Sequence, residues 1–91
     1  MSVDRRELIR NEILFQCYGY RPQPRDADRM AKAARMEGEI PDATASDFAV
    51  ECEYLAGKDL VVQERDPLAQ GHVRWAITSA GIDHVESRGI A

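Results

Sequence analysis

The sequence predicts an α+β fold of three helices, a two-stranded ribbon and a closing helix, and three observations predict it. Tyr54-Leu55-Ala56-Gly57-Lys58-Asp59-Leu60-Val61-Val62 reads as a helix stopped by glycine and feeding straight into a strand. Arg74-Trp75-Ala76-Ile77-Thr78-Ser79-Ala80-Gly81-Ile82-Asp83 reads as a strand ending at Thr78, which opens a last helix. Between them, Asp66-Pro67-Leu68-Ala69-Gln70-Gly71-His72 is polar and rich in turn residues, the tip of a ribbon.

The elements follow in order. Asp4 caps a first helix that runs to about Tyr18, before Gly19. Ile9, Ile13 and Cys17 form one stripe, Leu8 and Phe15 a second side, Leu14 and Tyr18 a third. A helix apolar nearly all round is buried on more than one side. The economical reading is a homodimer contact through this helix, with Leu8 and Phe15 in the interface. Tyr20-Arg21 precedes Pro22-Gln23-Pro24 and reads as a short extended stub, because the residue before a proline is pushed out of the helical region. The second helix is expected over Pro24 to Met36, with Pro24 or Arg25 in its first turn and Gly38 stopping it. Ala27, Met30, Ala31 and Ala34 make its apolar face; Arg25, Arg29, Lys32 and Arg35 make a cationic arc on the other side.

Thr44 caps the third helix, with Asp47 three residues on in a capping-box arrangement. Phe48, Cys52 and Leu55 form its core stripe and Gly57 ends it. Leu60–Arg65 and His72/Val73–Thr78 alternate as half-buried strands do, with Leu60 and Val62 on one face and Val73, Trp75 and Ile77 on one face. Thr78 or Ser79 caps the last helix, which runs to about Ser87 with Ile82 and Val85 inward; residues 88–91 read as a frayed tail.

Ninety-one residues fit one domain, residues 1–91 with an ordered core over about 4–87. No stretch approaches the roughly 18 apolar residues that span a bilayer, and Met1–Asp4 lacks the pattern of a signal peptide, so a cytoplasmic protein is expected. Net charge is −4, unevenly placed: residues 1–36 hold eight basic and five acidic side chains, residues 37–91 four basic and eleven acidic. Two chemically different surfaces follow. Cys17 and Cys52 fall on apolar helix faces and read as small buried hydrophobes. Neither they nor His72 and His84 have metal-ligand spacing, so no metal or other cofactor is expected. Ser79, Asp83 and His84 have the residue types of a nucleophilic relay but share one short helix, where neighbours in sequence point apart. No catalytic residue is assigned, no small-molecule substrate is expected, and a core this small leaves no room for a pocket of about 300 Å³.

The element order, with Glu53-Tyr54-Leu55-Ala56-Gly57-Lys58-Asp59-Leu60-Val61 and Trp75-Ala76-Ile77-Thr78-Ser79-Ala80-Gly81-Ile82-Asp83, resembles the winged helix-turn-helix family of small prokaryotic regulators. More loosely, the chain is similar to short winged-helix proteins carried by Mu-like phages and prophages. The resemblance implies a three-helix core, a two-stranded wing and a C-terminal helix, with the third helix in the major groove of DNA and the wing on the backbone or minor groove. Its outward face then presents Ser46, Asp47, Val50, Glu53 and Tyr54, with Glu51 at the flank, and none is basic. That departure leaves two readings open. One is a DNA-binding regulator or phage accessory protein that holds duplex DNA through Arg25, Arg29, Lys32, Arg35, Arg65 and Arg74. The other is a protein-interaction module that does not bind DNA and docks through Val50 and Tyr54 on the acidic third helix. The cationic arc also reads as a solvated face, or as a surface for an acidic protein partner. Arg65 and Arg74 also read as partners of Glu64 and Asp66.

Overall fold

A computed structural model of the chain describes residues 4–65, 68 and 72–88. The elements are α1 (Arg5–Tyr20), α2 (Ala27–Met36), α3 (Ala45–Gly57), β1 (Val61–Arg65), β2 (Val73–Ile77) and α4 (Ser79–Ser87). β1 and β2 pair antiparallel, with Val61 opposite Ile77 and Arg65 opposite Val73. The predicted α+β order is observed, and most of the wing tip and residues 89–91 lie outside the described residues.

α1 begins as expected, with the Asp4 carboxylate accepting the Arg6 amide at 3.0 Å. It ends later, running through Gly19 to Tyr20 and stopping at Arg21. One glycine weakens a helix without ending it, whereas Pro22 bars the preceding residue from helical geometry. Ile9, Ile13 and Cys17 are fully buried, and so is Leu14. The Tyr18 hydroxyl donates to Glu86 of α4 at 2.8 Å. α1 packs on α2, α3, α4 and β2, so the domain itself covers the third side and leaves Leu8, Phe15 and the terminal Tyr20 exposed. The apolar girth of α1 is therefore explained largely within one chain.

α2 starts at Ala27, later than the sequence suggests. Asp26 is extended and caps it, its Oδ1 accepting the Arg29 amide at 2.7 Å. The reason lies in Arg25, whose backbone is claimed by β2: its N–H donates to the Trp75 carbonyl and its carbonyl accepts the Trp75 N–H, both at 2.8 Å. The stub strand exists as this single bridge, at Arg25, one residue past the expected segment of residues 20–24.

Thr44 Oγ1 accepts the Asp47 amide at 3.1 Å and opens α3, with Phe48, Cys52 and Leu55 buried beneath it. Gly57 stays helical; the left-handed residue that turns the chain is Asp59, with φ of 62°. Leu60 belongs to that turn, donating its N–H to Leu55 and accepting the Thr78 N–H. The first strand residue is thus Val61, which is buried while Val62 is exposed, one residue out of phase with the expected Leu60/Val62 face. Val73, Trp75 and Ile77 share a face as expected, and Trp75 is buried.

Thr78 Oγ1 accepts the Gly81 amide at 3.0 Å and caps α4, while its hydroxyl donates to the Asp59 carbonyl at 2.6 Å. Val85 is fully buried and Ile82 partly so. Burial raises both cysteine thiols, Cys17 to about 12, so both remain protonated, inert core groups. α4 passes so close over the β1 entry that a Cβ at Gly81 collides with the Leu60 carbonyl oxygen and the Ile77 side chain. Backbone cannot yield as a flexible side chain does, so Gly81→Ala is expected to lose about 2 kcal/mol or more. The midpoint of denaturant unfolding measures it; an unchanged midpoint contradicts the close approach.

Candidate nucleic-acid interface

Asp47 and Glu51 stand four residues apart on α3 and share a side of the helix. The sequence alone suggests that this side faces outward. The structure turns it onto the N-terminal half of α1. The Glu51 side chain is 5% exposed; its Oε1 accepts Arg10 Nε at 2.6 Å and its Oε2 accepts Arg6 Nε at 3.4 Å. Asp47 Oδ2 accepts Arg5 Nη1 at 3.0 Å, and Arg5 also pairs with Asp42 at 3.2 Å. The Arg5 guanidinium holds the Asp47 carboxyl below the usual carboxylate range, helped by the Thr44 hydroxyl.

Two of the three carboxylates expected on the outward face are therefore neutralised within the domain. Ser46, Val50, Glu53 and Tyr54 remain outside, with Val50 57% exposed. Tyr54 is not a bare apolar patch, because the Arg10 guanidinium lies 3.6 Å from its ring centroid and Lys58 Nζ 5.7 Å. Arg5, Arg6 and Arg10, to which the sequence pattern assigns no role, are the partners that decide the face of α3.

The expected cationic arc of α2 is divided. Arg25 precedes the helix, its guanidinium 3.9 Å from the Tyr20 ring centroid and its Nε buried without a hydrogen bond. Arg35 is drawn to the α2–α3 link, donating from Nη1 to the Ala43 carbonyl at 2.7 Å. Arg29 and Lys32 stay exposed on the helix surface.

The wing supplies what the arc loses. Arg74 lies opposite Glu64 in the ribbon, yet the two form no ion pair within 4 Å; Asp66 lies outside the described residues. Arg74 instead joins Pro24, Arg25, Asp26, Arg29 and His72 around a cleft of about 140 Å³ where the wing meets the entry to α2. Asp26 holds its sides, 3.6 Å from Arg29 Nε and 3.4 Å from His72 Nε2. Arg25 and Arg29, from one segment, and Arg74, from far along the chain, line it together because the Arg25–Trp75 bridge ties β2 to the residues before α2. Arg65 is exposed on β1.

A larger cleft of about 470 Å³ opens between α1, the end of α3 and α4, lined by Arg10, Leu14, Tyr54, Lys58, His84 and Arg88 among others. It is a surface cleft between three elements, so core volume does not limit it.

Removing one partner from a buried ion pair leaves the other uncompensated. Glu51→Ala is expected to cost about 3 kcal/mol in unfolding free energy, the lower end of the range for such pairs because Arg10 and Arg6 both keep contact with water. No loss in a denaturant titration contradicts the clamp. Asp47, whose carboxyl is lowered, contributes stability that is present above the ordinary aspartate range and fades as pH falls through the lowered value. Asp47→Asn is expected to flatten the acid limb of a stability–pH profile; an unchanged limb contradicts the Arg5 contact.

No family model matches the chain, and no curated protein matches it. Among solved structures, it is similar to a mutant of MepR from a multidrug resistant S. aureus clinical isolate, with a TM-score of 0.71 and 19% identity over 87% of this chain. The chain spans 52% of that protein's chain, about half its length. At this identity the likeness speaks of architecture alone: helical core, two-stranded wing and closing helix form a winged-helix fold.

Proposed function

We propose that this protein is a DNA-binding winged-helix regulator that grips phosphates with the root of its wing. The observation that carries the reading is the convergence of Arg25, Arg29 and Arg74, with His72, where β2 meets the entry to α2. Phosphate contacts supply most non-specific affinity and require Lys or Arg. Lys32 on α2 and Arg65 on β1 extend the cationic surface on either side. The internal pairing of Asp47 and Glu51 supports the same reading, because it removes most of the repulsion expected between α3 and a duplex. Ser46 and Val50 on the outward face suit a base-edge hydrogen bond and contact with a thymine methyl. MepR is a winged-helix regulator, which favours this class among the uses of the fold.

A second reading rests on Val50, the most exposed large apolar side chain of α3. With Tyr54 beside it, the helix is then a protein-contact face that leaves DNA alone.

The test is anisotropy of labelled random duplex DNA at about 50 and 200 mM salt, with the slope against log salt counting phosphate contacts. Wild-type binding is expected to weaken steeply across that range. Arg74→Ala and Arg29→Ala are each expected to lower the slope by about one, and Arg35→Ala to leave it unchanged. No binding at the lower salt sinks the DNA reading, and loss of a partner protein in Val50→Ser then supports the second.

A further inference from the structure

One side of α1 stays apolar and uncovered. Leu8 is 41% and Phe15 49% exposed; two turns apart, they stand about 10 Å from each other along the helix. Two shallow grooves meet at Phe15. One, of about 240 Å³, runs between Leu8, Phe15 and Ile40, with Asn11, Glu12 and Glu39 on its walls. The other, of about 160 Å³, is lined by Phe15, Gln16, Tyr20, Arg25, Ala33 and Glu37 among others. Together they form a trough along α1 beside α2 and the α2–α3 link.

The trough collects acceptors. No ion pair reaches Glu12, Glu37 or Glu39 among the described residues. The three crowd one another: the Glu12 carboxyl is raised, first by burial and then by Glu37 and Glu39. Gln16, 7% exposed, gives its amide hydrogens to Glu12 Oε2 at 2.8 Å and to the Met30 carbonyl at 2.9 Å. Its Oε1 is buried without a donor. Arg25, the one cation on the described walls, lies at the Tyr20 end of the trough, its guanidinium 3.9 Å from the Tyr20 ring centroid.

We propose that this trough is the docking site for a basic amphipathic helix of a partner protein. Such a helix lays apolar side chains at i, i+3 or i+4, and i+7 over Leu8, Phe15 and the grooves. Its Lys and Arg side chains meet the rim of Glu12, Glu37 and Glu39, which no ion pair among the described residues neutralises. A second copy of this chain has to bring its own cations to this rim, and the described walls of the trough offer it one, Arg25. This occupant differs from the second copy that the sequence expectation placed on Leu8 and Phe15, and sedimentation distinguishes the two. The inference stands apart from the DNA reading.

The probes are a labelled Leu/Lys amphipathic helix peptide and its Leu/Glu counterpart, titrated into the full chain. The Leu/Lys peptide is expected to bind saturably and the Leu/Glu peptide not at all. Phe15→Ser and the triple variant Glu12→Gln, Glu37→Gln, Glu39→Gln are each expected to weaken binding tenfold or more. A charge-matched control, Glu53→Gln with Glu64→Gln and Asp83→Asn, is expected to keep the affinity, which separates the trough from the net negative charge. Glu12→Gln relieves a crowded carboxylate and is expected to raise the melting temperature, so weaker binding there is not unfolding. The proposal is overturned if both peptides bind alike, if Phe15→Ser changes nothing, or if the control weakens binding as much. It is equally overturned if sedimentation shows a wild-type dimer that Phe15→Ser splits, since a second copy then fills the trough.

Discussion

A buried carboxylate governs the arrangement of this domain. Glu51 is nearly sealed from water, a position that an ionised side chain tolerates only with close partners. Arg10, with Arg6, supplies them and in doing so fixes how α3 is rolled against α1. Rolled this way, α3 buries Phe48, Cys52 and Leu55, hands Asp47 to Arg5, and leaves Ser46, Val50, Glu53 and Tyr54 outside. The same contact brings the Arg10 guanidinium over Tyr54. The character of the helix that meets the outside world is thus decided by arginines on a different helix.

A second constraint is the Arg25–Trp75 bridge. Two backbone hydrogen bonds join the ribbon to the segment before α2, so the wing is anchored at its root rather than free on a hinge. The anchoring draws Arg74 toward Arg25 and Arg29 and builds a cationic cleft that neither element has alone. The close pass of α4 over Leu60, possible only with Gly81, secures the other end of the ribbon. Together these contacts fix both ends of the ribbon against the helices.

The fold is legible in the sequence because its signals are local. Ile9, Ile13 and Cys17 repeat at helical spacing, Thr44 and Thr78 cap helices, and Val73, Trp75 and Ile77 alternate; each is a few residues of chain obeying its own geometry. The candidate site is legible only in part. Arg29, Lys32, Arg65 and Arg74 are in view from charge alone. The pairing of Glu51 with Arg10 is not, since it joins residues 41 apart in sequence and no periodicity reports it. Arg25 reads as a helix start because a proline precedes it, while its peptide groups are already taken by Trp75. The strand face slips by one residue because Leu60 spends its backbone bonds in the turn. The cover that α4 gives to one side of α1 is not legible either, because it comes from the far end of the chain.

The proposed DNA-facing surface is the root of the wing together with an α3 whose Asp47 and Glu51 are paired internally. Chemical-shift mapping of isotope-labelled protein on addition of duplex DNA tests it most directly. The account predicts perturbations at Arg25, Arg29, Lys32, Arg65 and Arg74, together with Ser46 and Val50, and none along Leu8 and Phe15. Perturbations confined to the α1 trough, or absent at saturating DNA in low salt, contradict it.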